Sequence, residues 1–307
     1  MTTEAVTVAP SEPRLLGRLA EGRALPIAVV VLAILVLWHV GAVYLNAQLQ
    51  IDQFERAKQD WTFSDLVAGT LSQDRPLLPA PHQIVAEMKK TILDTKITSK
   101  RSLVYHSWVT LSSTLLGFAV GGLLGILLAV GIVHVKTLEK SLMPWVISSQ
   151  TIPILAIAPM IIVVLGAIGL KGLIPKAIIS TYLCFFPVTI GMVKGLRSPE
   201  VLQMDLMRTY AADRWQTFWK LRWPASMPFL FASCKVAIAI SLVGAIVGEL
   251  PTGARAGLGA RLLTGSYYGQ TIQIWSALIT AAILAACLVA LVGLTERQVL
   301  ERMGARR

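Results

Sequence analysis

The stretch RTYAADRWQTFWKLRWPASMP, Arg208 to Pro228, is polar and amphipathic, yet it lies between two strongly apolar segments. Trp215, Phe218 and Trp219 recur at i, i+3 and i+4, so they share one face of a predicted helix. Asp213, Arg214, Gln216, Thr217 and Lys220 fall between them and face water or a partner. Pro224, which lacks a backbone N–H, is expected to end that helix, and Pro228 to open the next apolar run. A helix of this kind, kept in a loop between apolar spans, is expected to touch something.

Outward from that loop the chain is apolar. Its 307 residues are 55% hydrophobic and 15% charged, the composition of an all-α polytopic membrane protein. A net charge of +11 would suit nucleic acid in a soluble chain. Here the basic residues sit between apolar spans, where the positive-inside rule accounts for them, and nucleic acid is rejected as a partner. Cys184, Cys234 and Cys287 are odd in number and each lies in an apolar run, which points to buried free thiols. His39, His82, His106 and His134 are scattered without metal-ligand spacing, so no metal is expected.

About 20 apolar residues cross a bilayer as a helix. Six spans are predicted, at 25–45, 108–133, 141–166, 173–193, 229–250 and 273–294. The first follows Arg14, Arg18 and Arg23, as a signal peptide would. Its apolar core is too long for that, and no small-residue cleavage site follows Tyr44, so a retained helix is expected. Residues 1–24 form a tail, 46–107 a long loop, 108–296 the core domain with a loop at about 197–228, and 297–307 a second tail. Six spans place both termini on one side. The segments on that side carry Lys136, Lys140, Lys194, Arg197, Arg208, Arg214, Lys220, Arg222, Arg297, Arg302, Arg306 and Arg307, besides the first three arginines. The opposite short loops carry Lys171, Arg255 and Arg261, with Lys176 just inside a span. Both termini and loop 197–228 are therefore expected to be cytoplasmic.

Within the long loop, Pro79 and Pro81 punctuate LLPAPHQIVAEMKKTIL, and Ile84, Val85, Met88, Ile92 and Leu93 make a helical stripe. Gly117, Gly121 and Gly125, and likewise Gly244 and Gly248, recur four apart and let helix backbones approach. Packing within one subunit is the expected use of these seams.

These residues resemble a known family. Loop 197–228 is similar to the conserved cytoplasmic loop of bacterial ABC importer permeases, with a Glu-Ala-Ala, three residues, Gly, and a later Leu-Pro. Asp205 takes the Glu place, Leu206 and Met207 the Ala places, Ala211 the Gly place, and Trp223-Pro224 the Leu-Pro. LLPAPHQIVAEM, SSQTIPILAIAPMIIVVLGAIG and GELPTGARAGLGARL resemble three further motifs of the nitrate/sulfonate/taurine-type branch, in the right order over residues 77–296. The resemblance implies a type I importer fold and a pair of permease subunits, expected to be a homodimer. It implies a coupling helix in each loop docked on a cytoplasmic ATPase, and a periplasmic binding protein delivering solute. ATP and Mg would belong to the ATPase, since this chain has no phosphate loop, and no enzyme activity is expected of it. If the turn at Ala211 requires a positive φ, alanine is strained there.

Asp205, Arg208, Ala211, Trp215, Phe218, Trp219 and Pro224 are the expected coupling residues. An interfacial helix resting on lipid is the other reading of that loop, and Asp205–Arg208 could be an ordinary surface pair. Ser148, Ser149, Gln150 and Thr151 precede Pro153 and Pro159 in the third span, and a broken helix lining the translocation path is expected there. The alternative is that the hydroxyls bond their own helix. Glu249 closes the fifth span, either as a costly acid on the path or as a group wetted at the interface. Tyr267, Tyr268 and Trp275 read as an aromatic belt. An ion-coupled secondary transporter is the other function considered. It would want buried ionisable residues at mid-membrane and internal repeats, which the sequence does not display. The solute class stays open among nitrate, sulfonates, taurine and heteroaromatic vitamin precursors, with a lean to a neutral or aromatic organic molecule.

Overall fold

A computed structural model describes residues 24–251, 254 and 256–304. Arg14, Arg18, Arg23, Arg255, Arg306 and Arg307, and with them nearly all of the 1–24 tail, lie outside the described residues. The chain divides into two compact units, Met1–Val85 and Ala86–Arg307.

In the first unit, α1 (Ala24–Ala57) and α2 (Phe63–Ser72) precede the start of α3 (Pro81–Ile92). The apolar side chains of α1 are mostly exposed, as a helix bathed in lipid requires. Ala42, Asn46 and Gln50 are buried, and Asn46 makes the most of it. It is fully buried, accepts the Leu77 and Leu78 amides on Oδ1 at 2.7 and 3.2 Å, and donates Nδ2–H to the Leu78 carbonyl at 2.8 Å. The LLPAP segment is thus stapled to α1 by one amide. Gln83 then satisfies the free Ala80 N–H at the head of α3, at 3.0 Å. Of the expected stripe on α3, Ile84 is buried, whereas Val85 and Leu93 are exposed.

The second unit is built on α4 (Leu103–His134), α7 (Leu173–Leu196) and α10 (Trp223–Glu249), with α11 (Leu258–Tyr267) and α12 (Thr271–Arg302) beside them. The glycine seams make this trio possible. Gly117, Gly121 and Gly125 of α4 lie against α7, where added Cβ atoms would overlap Ser180 and press on Cys184 and Val188. Gly244 and Gly248 of α10 meet the other side of α7 at Ser180 and Lys176. Both seams are used inside the subunit, where close backbones gain dispersion that lipid cannot offer. Hydroxyls then bridge the helices. Ser241 donates to the Thr114 carbonyl and Ser180 to the Ser241 carbonyl, each at 2.9 Å.

The expected span 141–166 is not one rod. α5 (Lys136–Ser148) and α6 (Ile154–Ala167) meet at 100° across a single 3-10 turn, Ser149–Thr151. Pro153 explains the break, since it has no N–H to return to the Ser149 carbonyl four residues back. The Tyr182 hydroxyl of α7 donates to that carbonyl instead. Among the described residues, five helices are long and apolar enough to cross a membrane, and the bent pair makes up to six.

Candidate functional site

Loop 197–228 folds as helix, turn, helix. α8 (Val201–Thr209) starts at a capping box in which the Gln203 side chain accepts the Glu200 amide at 3.1 Å. It ends in a Schellman pattern: Ala212 donates to the Met207 carbonyl and Ala211 to the Arg208 carbonyl, both at 2.9 Å. That pattern puts a left-handed residue between them, and Ala211 has φ +53°. α9 (Arg214–Thr217) restarts the chain under an Asp213 cap, whose carboxylate accepts the Gln216 amide at 2.6 Å.

Two expectations for this loop are overturned. Pro224 does not end the helix. A π turn over Phe218–Arg222 carries α9 into α10, the Trp223 N–H reaching back five residues to the Phe218 carbonyl. Pro224 then follows directly on the widened turn, at the start of α10. Nor does Phe218 face outward with its neighbours. Its ring lies inward, 9% exposed, against Ala129, Ile132, Met192, Val193 and Leu196, and edge-on to His134 at 5.3 Å.

Several large apolar side chains remain outside, among the loop's exposed polar ones. Trp215 is 69% exposed, Trp219 45% and Tyr210 76%, and Val201, Leu202 and Leu206 are exposed with them. The Trp215 and Trp219 rings pack edge to face at 5.5 Å, so the two tryptophans form one rigid ledge. Asp205 and Arg208 form an exposed 3.0 Å ion pair one turn apart. Arg197 holds the root of the loop to Glu139 of α5 at 2.8 Å.

Glu249, the last residue of α10, is fully buried, so it is not a group wetted at an interface. Its carboxylate accepts from Lys176 Nζ at 3.2 Å, Thr110 Oγ1 at 3.0 Å and the Gly259 amide at 2.9 Å. Around it, Lys176 also donates to the Ala256 carbonyl, the Leu258 amide to Thr110 Oγ1, and the Gly257 amide to His106 Nδ1. Gly257 has φ +124°, and a Cβ there would overlap the Glu249 carboxyl. The cluster therefore knots three helix ends to the start of α11. Such a buried pair is sustained only because every acceptor is filled.

The serine-threonine group is not brought to Glu249 by any hydrogen bond among the described residues. Ser149 and Thr151 hydroxyls bond the Val146 and Ser148 carbonyls of their own turn, each at 2.7 Å, while Ser148 and Gln150 are largely exposed. The larger opening is elsewhere. A cavity of about 910 Å³ is walled by Tyr105 and Trp108 of α4, Ile162 of α6, and Lys171, Leu173 and Lys176.

Comparison with known proteins decides the family. Residues 121–303 match the model described as binding-protein-dependent transport system inner membrane component, which is more than half of the chain. The chain belongs to that family. The permease is 32% identical to a riboflavin transport system permease protein of Chloroflexus aurantiacus, over 72% of this chain and 78% of the relative. It is also 32% identical to a formylaminopyrimidine transport permease protein of Halalkalibacterium halodurans, over 60% and 68%. A putative aliphatic sulfonates transport permease protein of Bacillus subtilis matches at 25%, over 73% and 78%. The permease is thus the non-catalytic inner-membrane component of an ABC importer for a small solute, and its partners include an ABC ATPase and a substrate-binding protein.

The sequence reading missed Lys176 as the partner of Glu249. It had noted both, but seventy-three residues apart, with nothing local to join them. The pair does not revive an ion-coupled mechanism, because Glu249 ends α10 and Lys176 lies in the first turn of α7, so both sit at helix ends.

Proposed function

We propose that two copies of this permease clamp onto two ATPase subunits, and that the ledge formed by Leu202, Leu206, Tyr210, Trp215 and Trp219 is what each ATPase grips. The observation that carries this reading is the split among the loop's aromatics. Phe218 roots the loop in the core while Trp215 and Trp219 stay outside, so the exposed rings are held rigid for a partner. A lipid-lying helix would need one continuous apolar face, and a loop that turns at Ala211 and again at the π turn does not offer one. ATP and Mg bind the ATPase subunits, and their closure drives the spans.

For loop 197–228 to face the cytoplasm along with both termini, the bent α5–α6 pair must cross the bilayer as one broken span. The exposed apolar side chains of that pair, Trp145, Leu155, Met160, Val163 and Val164 among them, suit a second copy of the chain. The solute is a neutral or heteroaromatic organic molecule passing the Tyr105–Trp108 cavity. The two relatives at 32% identity, named for riboflavin and formylaminopyrimidine, favour that class over nitrate.

The test is a Gln216→Cys permease, since Gln216 is exposed beside Trp215. It should be labelled by an impermeant thiol reagent only from the cytoplasmic side and should cross-link to the ATPase. Labelling from the periplasmic side would overturn the orientation. Cytoplasmic labelling without cross-linking would overturn the docking face alone.

A further inference from the structure

A second, smaller basin of about 430 Å³ opens where the approach to α4 meets α11, lined by Lys100, Arg101, Arg261, Tyr268, Gln270 and Gln273 among others. Arg261 forms part of its wall and is only 6% exposed. One guanidinium nitrogen donates to the Arg101 carbonyl at 2.9 Å, and another reaches Glu87 Oε1 at 3.4 Å. Its Nε–H is buried and has no acceptor among the described residues. A buried charged donor left unmet is costly, and such groups are rarely left so without a ligand.

The charge around the basin is one-sided. Lys100 and Arg101 are exposed at its rim, and no carboxylate lines it among the described residues. Among the described residues Glu87 is the one acid paired with Arg261, and its 3.4 Å contact is long for a charge-assisted bond. His106 adds a wall and no free donor. Its Nδ1 accepts the Gly257 amide and its Nε2–H donates to the Lys100 carbonyl. A water molecule could satisfy Nε but would leave the excess cationic charge uncompensated.

We propose that this basin is a binding site for a small oxyanion, a carboxylate, sulfonate or phosphate group, held by Arg261 Nε–H with Lys100 and Arg101 closing over it. Guanidinium and ammonium groups converging on one cavity recognise that chemistry. The same group has two possible sources, a free anion in solution or the headgroup of an anionic lipid. The site stands apart from the docking ledge and does not depend on which ATPase contact is correct.

The test uses the full chain in a neutral detergent, titrated with sodium sulfate against sodium chloride at constant ionic strength, and read by calorimetry and thermal unfolding. Sulfate should bind saturably and raise the melting temperature, and chloride should not. Lys100→Ala/Arg101→Ala should weaken sulfate binding by about tenfold or more. That variant leaves in place the Lys100 and Arg101 carbonyls that His106 and Arg261 use, so its melting without sulfate should match the wild type. Arg261→Lys keeps the charge and loses the Nε donor, and it should weaken binding too. If it fails to fold, the rim variant alone decides. Nanodiscs then separate the sources: displacement of sulfate by phosphatidylglycerol, but not by phosphatidylcholine, assigns the site to a headgroup, and no displacement by either assigns it to a free anion. No saturable sulfate binding, a chloride response equal to it, or a rim variant that binds as the wild type does would overturn the proposal.

Discussion

Glu249 and Trp215 are treated in opposite ways by the same chain. Glu249 is a charge drawn wholly out of water, and three donors, Lys176 Nζ, the Thr110 hydroxyl and the Gly259 amide, are spent on it. Trp215 is a large apolar ring left in water, on a loop whose own polar groups are satisfied locally by Glu200, Asp213 and the Schellman turn. The first arrangement fixes geometry: three helix ends and the start of α11 cannot move independently. The second prepares a surface, because a rigid, self-satisfied loop loses little entropy when its exposed rings are covered. The knot therefore belongs to stability and the ledge to recognition, and mutations should sort accordingly.

The largest effect should come from the knot. Glu249→Ala leaves Lys176 buried without its counter-charge and should cost about 3–5 kcal/mol of stability, seen as a lower melting temperature in detergent. Lys176→Met/Glu249→Gln removes both charges and keeps an acceptor for the Gly259 amide, and it should recover part of that loss. A double variant no better than Glu249→Ala would mean that the hydrogen bonds, not the charge, carry the knot.

Phe218 sharpens the comparison from inside the loop. Phe218→Ala empties a site among Ala129, Ile132 and Met192 and should cost about 3–5 kcal/mol. Trp215→Ala, three residues away, should change the melting temperature little. If the two variants melt alike, the division between root and ledge is wrong.

The smallest effect concerns Ala211. At φ +53° an alanine is strained by about 1 kcal/mol relative to glycine, so Ala211→Gly should stabilise the loop by about that amount. Hydrogen exchange of the Ala212 amide, which closes the turn on Met207, would report it. Faster exchange in the glycine variant would show that the turn draws its rigidity from the alanine.

Much of this was legible in the sequence, and the failures have physical causes. Hydropathy displayed the long helices, and the glycines four apart marked α4 and α10 as close-packing helices because only backbone proximity requires that spacing. The resemblance of the loop to the family pattern, with Ala211 in the glycine place, implied a turn there. The i, i+3, i+4 spacing brought the Trp215, Phe218 and Trp219 rings together, but it could not say which of them the core would take, because the side chains that bury Phe218 belong to α4 and α7. Pro224 was misread because a π turn over Phe218–Arg222 lets the helix run on past a proline. The 100° bend was foreshadowed by Pro153, but the hydroxyl that satisfies the freed Ser149 carbonyl comes from Tyr182 on another helix. Glu249 could not be placed, because Lys176 and Thr110 are distant in sequence and each alone reads as an ordinary polar residue, while its third donor is a backbone amide, that of Gly259.

The central claim is that the exposed rings of this loop, and not its buried one, hold the ATPase. The most direct measurement is the affinity of the purified ATPase subunit for the Trp215→Ala permease, made on protein that melts at the wild-type temperature. The account predicts affinity weakened by about tenfold or more, the loss of an exposed aromatic anchor from an interface. Wild-type affinity in that correctly folded variant would contradict it.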